Sequence, residues 1–194
     1  METISLQDEL RERLETAKAG FESDKVIEPW AIVDIGATGP CPTASKITHA
    51  TLLDSKQEDV ITQKDERLLL LDLLDRLQPY RTIIGFNLWG FDLPLIKNRA
   101  TANRINIRLG FKNIVDLREV LAGGNRFCRG RLRDYVQLLG VKVKESEWCK
   151  RHHKLLEIDH DIPSLSSFLL MDCKLTYTLL QYLGGSKHKA SNDQ

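Results

Sequence analysis

The sequence predicts one α/β domain, a mixed sheet with helices packed on it. Short apolar runs read as strands come first, helix and strand then alternate, and the leucine-rich segment at residues 63–78 stops at Pro79. At 194 residues the chain is long enough for one real hydrophobic core and too short for two ordinary domains plus a linker.

Residues 5–18 place Leu6, Leu10 and Leu14 four apart behind Ser5 and Asp8 in capping-box positions, which predicts an amphipathic helix able to cover a sheet face or a partner. Trp30 to Asp34, Ile47 to Leu53 and Val60 to Thr62 read as strands joined by polar turns, a plausible antiparallel meander. Residues 63–78 carry seven leucines among charges, a broad helix face expected to be core because no heptad is sustained. Thr82 to Phe86 returns as a buried strand, and a helix follows from about Phe91 to Asn103, with Pro94 tolerated in its first turn. Ile114 to Leu121 reads as strand or short helix before the Gly123-Gly124 break, and Arg131 to Leu139 has helical spacing closed by Gly140. A last helix is expected over about residues 163–183, and the tail 184–194 is expected to be disordered. The domain plan is therefore a helical extension at 1–28, the main domain at 29–183, and the tail.

Composition excludes more than it proposes. With 28 Lys and Arg against 27 Asp and Glu, net charge neither announces nor excludes a nucleic-acid partner. No apolar run approaches the roughly 20 residues that span a bilayer, and the charged N-terminus has no apolar signal core, so no membrane role and a cytoplasmic or otherwise intracellular setting are expected. Cys41, Cys128, Cys149 and Cys173 lack paired spacing and read as reduced thiols. Cys149, His152, His153, His160 and Cys128 are ligand types, but their spacing fits no standard zinc pattern.

Three stretches put an aspartate at the edge of a predicted element: Asp34-Ile35-Gly36-Ala37-Thr38-Gly39, Gly85-Phe86-Asn87-Leu88-Trp89-Gly90-Phe91-Asp92-Leu93-Pro94, and Phe168-Leu169-Leu170-Met171-Asp172 with Thr176 following. Carboxylates brought together from a strand end, a helix start and a late helix can hold two Mg²⁺ or Mn²⁺ ions, the arrangement that cleaves phosphodiesters. Taken alone, Asp92 reads first as the N-cap of the helix through Pro94, and it is the three aspartates together that shift the reading to a site.

In order and spacing these stretches resemble the three exonuclease motifs of the DEDD superfamily, and most closely those of family B DNA polymerase proofreading domains. The resemblance covers residues 30–183 and takes in Ile83-Ile84-Gly85 and Ile114-Val115-Asp116-Leu117. It implies an RNase H-like mixed sheet with helices on both faces. It also implies metal and catalytic roles for Asp34, Asp92 and Asp172, with Asn87 and Phe91 beside the nucleic-acid strand. The second motif is complete. The first departs from the family, whose Asp-Ile-Glu presents two carboxylates on one strand face, because Gly36 stands where the Glu belongs. The third has Phe168 and Ser167 where the family uses Tyr or His to orient or deprotonate water, and neither takes that role readily. Asp54, Glu58 and Asp59 are the carboxylates that would have to reach the vacant ligand position.

A basic segment contains Arg126, Arg129, Arg131, Arg133, Lys142, Lys144, Lys150, Arg151 and Lys154, a composition suited to phosphate contacts and equally to a solvated helix face. Tyr135 and Trp148 read as base-stacking or core. The first motif also resembles the phosphate-binding Asp-x-Gly-x-Thr turn of sugar kinases and actin-like ATPases, but that reading needs a second related domain and leaves the other two motifs unexplained.

The expected function is a nucleic-acid-binding, exonuclease-like domain with a degraded two-metal site, weakly active or inactive, with single-stranded DNA or RNA as partner. The first alternative is an active Mg²⁺- or Mn²⁺-dependent 3′-to-5′ exonuclease. The second is a structural subunit that docks a protein partner through the N-terminal helix or a basic segment.

Overall fold

The computed structural model describes residues 5–107, 113–124, 129–142 and 170–184. A five-stranded mixed sheet runs in the order β3-β2-β1-β4-β5. Its strands are β1 (Trp30–Ala37), β2 (Ile47–Leu53), β3 (Glu58–Ile61), β4 (Thr82–Gly85) and β5 (Asn113–Asp116). The meander is real: β2 is antiparallel to both β1 and β3, while β1, β4 and β5 run parallel.

Side-chain alternation along β1 divides the core in two. Trp30 and Ile32 pack with Ile84 and Val115 under α1 (Leu6–Gly20), α4 (Leu117–Leu121), α5 (Leu132–Leu138) and α6 (Met171–Leu183). Ala31, Val33 and Ile35 pack with Ile83 on the other face, under α2 (Glu66–Leu77) and α3 (Leu93–Ala102). The period of two along a strand makes this division, and both sheet faces are covered by helices as expected.

Local signals hold most elements where the sequence puts them. Ser5 caps α1 by accepting from the Asp8 N–H, and Asp65 caps α2 by accepting from Arg67 and Leu68. On the apolar face of α1, Leu10, Leu14 and Ala17 are buried in the core and Leu6 is exposed. Of the leucines in 63–78, Leu68 and Leu71 face solvent and the other five are buried. Glu66 ties α2 to α3 through a bidentate pair with Arg99 at 2.8 and 2.6 Å, and it accepts from the Ile47 N–H of β2. The segment read as strand or short helix is both in turn, β5 running directly into α4. Tyr135 proves to be core rather than a base platform, fully buried with its hydroxyl donating to the Arg129 carbonyl at 2.7 Å. Trp148, Cys128, Cys149, His152, His153, His160, Ser167, Phe168 and the tail beyond Gly184 lie outside the described residues.

Candidate nucleic-acid interface

The parallel strands β1, β4 and β5 end on the same side of the sheet, where open α/β folds place their ligands. Asp34 sits near the end of β1, on the face that carries Ile32 and therefore toward α6. Asp172 lies in the first turn of α6, and its charge adds to the rise of the Asp34 pKa. Asp92 closes a single π-helical turn, Leu88–Asp92, that joins β4 to α3. Its carboxylate does not cap α3; Oδ1 instead accepts from the Ile35 N–H of β1 at 3.0 Å, fully buried between strand and turn.

All three predicted aspartates therefore gather at one end of the sheet. Burial, and then the neighbouring Asp172 charge, push Asp34 up to about 8. Burial first and Asp34 second drive Asp92 well above the ordinary carboxylate range. Asp172 is also raised by burial, while the positive charge of Arg133 pulls it back. Desolvation and like-charge crowding are the two causes that make carboxylates keep protons, and such clusters mark functional clefts more often than structural ion pairs do. Among the described residues, no three His, Cys, Asp or Glu side chains converge so as to hold a metal ion.

The place of the missing Glu is taken. Gly36 pairs with His49 across the antiparallel β1/β2 ladder, and the imidazole lies over the glycine so closely that a Cβ there would stand 1.9 Å from His49 Cε1. His49 Nδ1 is 3.1 Å from the Thr48 hydroxyl. The candidate replacement carboxylates are engaged elsewhere. Asp54 accepts from the Tyr80 hydroxyl at 2.6 Å and from the Lys56 and Gln57 N–H groups in the β2–β3 turn; Glu58 pairs with Lys174, and Asp59 with Arg76.

The second-motif loop is held by a residue to which the sequence alone gives no role. Asp116, buried at the end of β5, accepts from the N–H groups of Asn87 at 2.8 Å and of Trp89 and Arg118 at 3.0 Å. Asn87 stands in the left-handed region at φ 73°, and its side-chain oxygen accepts from Arg118 at 2.7 Å. Phe91 is half-buried, packed against the core under α2 and α3, next to Asp92. Of the predicted basic contacts, Arg133 sits by Asp172, Arg131 is exposed at the start of α5, and exposed Arg129 pairs with Glu9 of α1 at 3.3 Å. Cys173 is buried next to Asp172, 3.2 Å from the Thr51 hydroxyl, joining α6 to the centre of the sheet.

A strand order of 3-2-1-4-5, helices on both faces and aspartates gathered at the parallel strand ends define an RNase H-like domain of exonuclease type. The chain belongs to the family of DNA polymerase family B exonuclease domains, whose model matches residues 35–158. That span contains Asn87, Phe91 and Asp92; it begins one residue after Asp34 and ends before Asp172. Among solved structures, the fold is similar to that of the family B DNA polymerase from the hyperthermophilic archaeon Pyrobaculum calidifontis, with TM-score 0.64 and 22% identity over 79% of this chain. The chain spans 24% of that polymerase's length. No curated protein matches the chain. No helix among the described residues is long and apolar enough to cross a membrane.

Proposed function

We propose that this domain binds single-stranded nucleic acid and has lost two-metal hydrolysis. The observation that carries this reading is the His49 imidazole seated over Gly36: the second carboxylate of the first motif is missing, and the ring stands where a side chain at position 36 would begin. Two further features agree with it: Asp92 Oδ1 accepts from the Ile35 N–H, and Arg133 brings positive charge to Asp172. A binding role for this end of the sheet is supported by the intact second motif and by exposed Arg129, Arg131 and Lys142, which suit phosphate contacts. In this reading residues 29–183 form the exonuclease-type unit, 1–28 are a helical extension built into its core, 184–194 are a tail, and the setting is intracellular, beside DNA synthesis or repair.

The purified chain is to be incubated with a 5′-labelled single strand and Mg²⁺ or Mn²⁺, beside Asp92→Ala, with binding titrated on the same samples at two salt concentrations. Intact strands and salt-sensitive binding are expected. Shortening from the 3′ end that disappears in Asp92→Ala would establish a working exonuclease and overturn the proposal. Neither cleavage nor binding would leave the structural-subunit reading.

A further inference from the structure

Beside the π turn, Asn87, Trp89, Gly90, Asp116, Arg118 and Glu119 enclose a pocket of about 150 Å³. Trp89 is 45% exposed, the sole aromatic among the exposed large apolar side chains of the described residues. The Trp89 indole stands at the rim of a polar pocket outside both core clusters, while its backbone is tied into the loop by hydrogen bonds. The Trp89 and Asn87 N–H groups are fixed by the two oxygens of Asp116, and the Gly90 and Phe91 N–H groups return to the Asn87 carbonyl at 3.1 and 2.9 Å. Gly90 leaves room for the Asn87 side chain, since a Cβ there would stand 2.3 Å from Asn87 Oδ1 and displace it. An aromatic face on so fixed a loop binds with little ordering cost.

The polar lining decides what kind of ring the pocket takes. Asn, Arg and Glu are the side-chain types that pair with donor and acceptor groups on base edges. The carboxylates of Asp116 and Glu119 repel a phosphate, so the pocket suits the base and leaves the sugar-phosphate chain outside. Its volume admits one planar ring system and not a folded peptide. We propose that Trp89, with the Asn87–Arg118 edge, forms a subsite for one unpaired nucleobase of a single strand, an inference that rests on the nucleic-acid-binding reading above. Stacking on the indole supplies affinity with little sequence preference.

The test uses the full chain without divalent ions and follows anisotropy of a labelled single-stranded oligodeoxynucleotide and of the same strand made abasic. Trp89→Ala is expected to weaken binding of the normal strand about thirtyfold, the mid-range for loss of one base stack, and Trp89→Phe to stay within about threefold of wild type, since a smaller ring still stacks. Circular dichroism should be unchanged in both, because the side chain is exposed. Wild type should lose more affinity than Trp89→Ala on the abasic strand. Equal affinity of wild type and Trp89→Ala for the normal strand, or equal losses on the abasic strand, overturns the subsite and leaves the binding function standing. Absence of any binding by wild type overturns both together.

Discussion

At the end of β4, the turn Leu88–Asp92 is organised by one buried carboxylate, Asp116, that satisfies three main-chain N–H groups. At the end of β1, the strand carries a half-buried aspartate that holds its proton up to about pH 8, and next to it a glycine covered by an imidazole from β2. The two ends meet through the Asp92–Ile35 hydrogen bond. One region keeps the family's second-motif residues and is tied by these main-chain hydrogen bonds; the other keeps one aspartate of the first motif's pair, with a glycine under an imidazole in place of the second. The contrast separates what holds the loop in shape from what sets the charge. The first does not depend on the second, because the loop's hydrogen bonds do not pass through Asp34 or Gly36.

The largest expected effect tests the charged end. Asp34 is raised from an unfolded value near 4 to about 8 in the fold. A raised carboxylate binds its proton more tightly when folded, so its contribution to stability is fully present below the unfolded value and is lost as pH rises through the folded one. Stability should therefore fall between about pH 4 and pH 8. Asp34→Asn removes that loss and should stabilise the domain at pH 7 by up to about 4 kcal/mol, the full linkage value for three pH units, and by less where Asp172 shares the proton. Urea unfolding of both proteins at pH 5, 6, 7 and 8 reads this directly. The variant's slope should be shallower but not flat, since Asp92 and Asp172 are also raised. An unchanged slope, or a variant less stable than wild type at pH 7, would show that the end of β1 is not strained by charge.

Asp116→Ala addresses the bonded end and runs in the opposite direction. Three main-chain donors lose their acceptor at once, and each buried donor left unmet costs about 1–3 kcal/mol. Allowing for water entering the opened loop, the expected loss is about 3 kcal/mol, a fall in Tm of roughly 6–12 °C for a domain of this size. Asp116→Asn keeps one acceptor oxygen and should fall between. Melting within about 2 °C of wild type would mean that the turn is held by other contacts.

The same contrast governs how much was legible in the sequence. Strand and helix assignments were readable because patterning and caps are local: the short apolar run from Trp30, Ser5 ahead of α1, and Pro79 after α2 each act within a few residues. The gathering of Asp34, Asp92 and Asp172 at one end of the sheet was readable from motif order. Asp92's true bond was not, because the same residue makes a good helix cap and only the fold brings Ile35 to it. Asp116 stood in plain view at a strand end, but its three partners come from a loop about 30 residues earlier and from the helix that follows. His49 could be found only from the register that sets it against Gly36, and register is a property of two strands together. A glycine in place of a large motif residue was the available signal that this position is crowded from across the ladder.

That pairing yields the smallest effect, and the one that sharpens the comparison most. Restoring the missing carboxylate by Gly36→Glu forces a side chain into space where the His49 ring stands 1.9 Å from the new Cβ. The imidazole must swing out, and overpacking of this kind costs about 1–2 kcal/mol. His49→Gly vacates the space, so the double variant Gly36→Glu/His49→Gly should recover most of that loss, a coupling of about 1 kcal/mol between the two positions. With the imidazole gone, the restored carboxylate shares a strand face with Asp34 and adds a donor beside Asp172. Titration calorimetry with Mn²⁺ should then register binding for the double variant and none for Gly36→Glu alone. Additive stabilities would show that the two positions changed independently. Equal Mn²⁺ binding by both variants would mean that the ring never blocked the site, and that the glycine alone separates this end of the sheet from a metal-binding one.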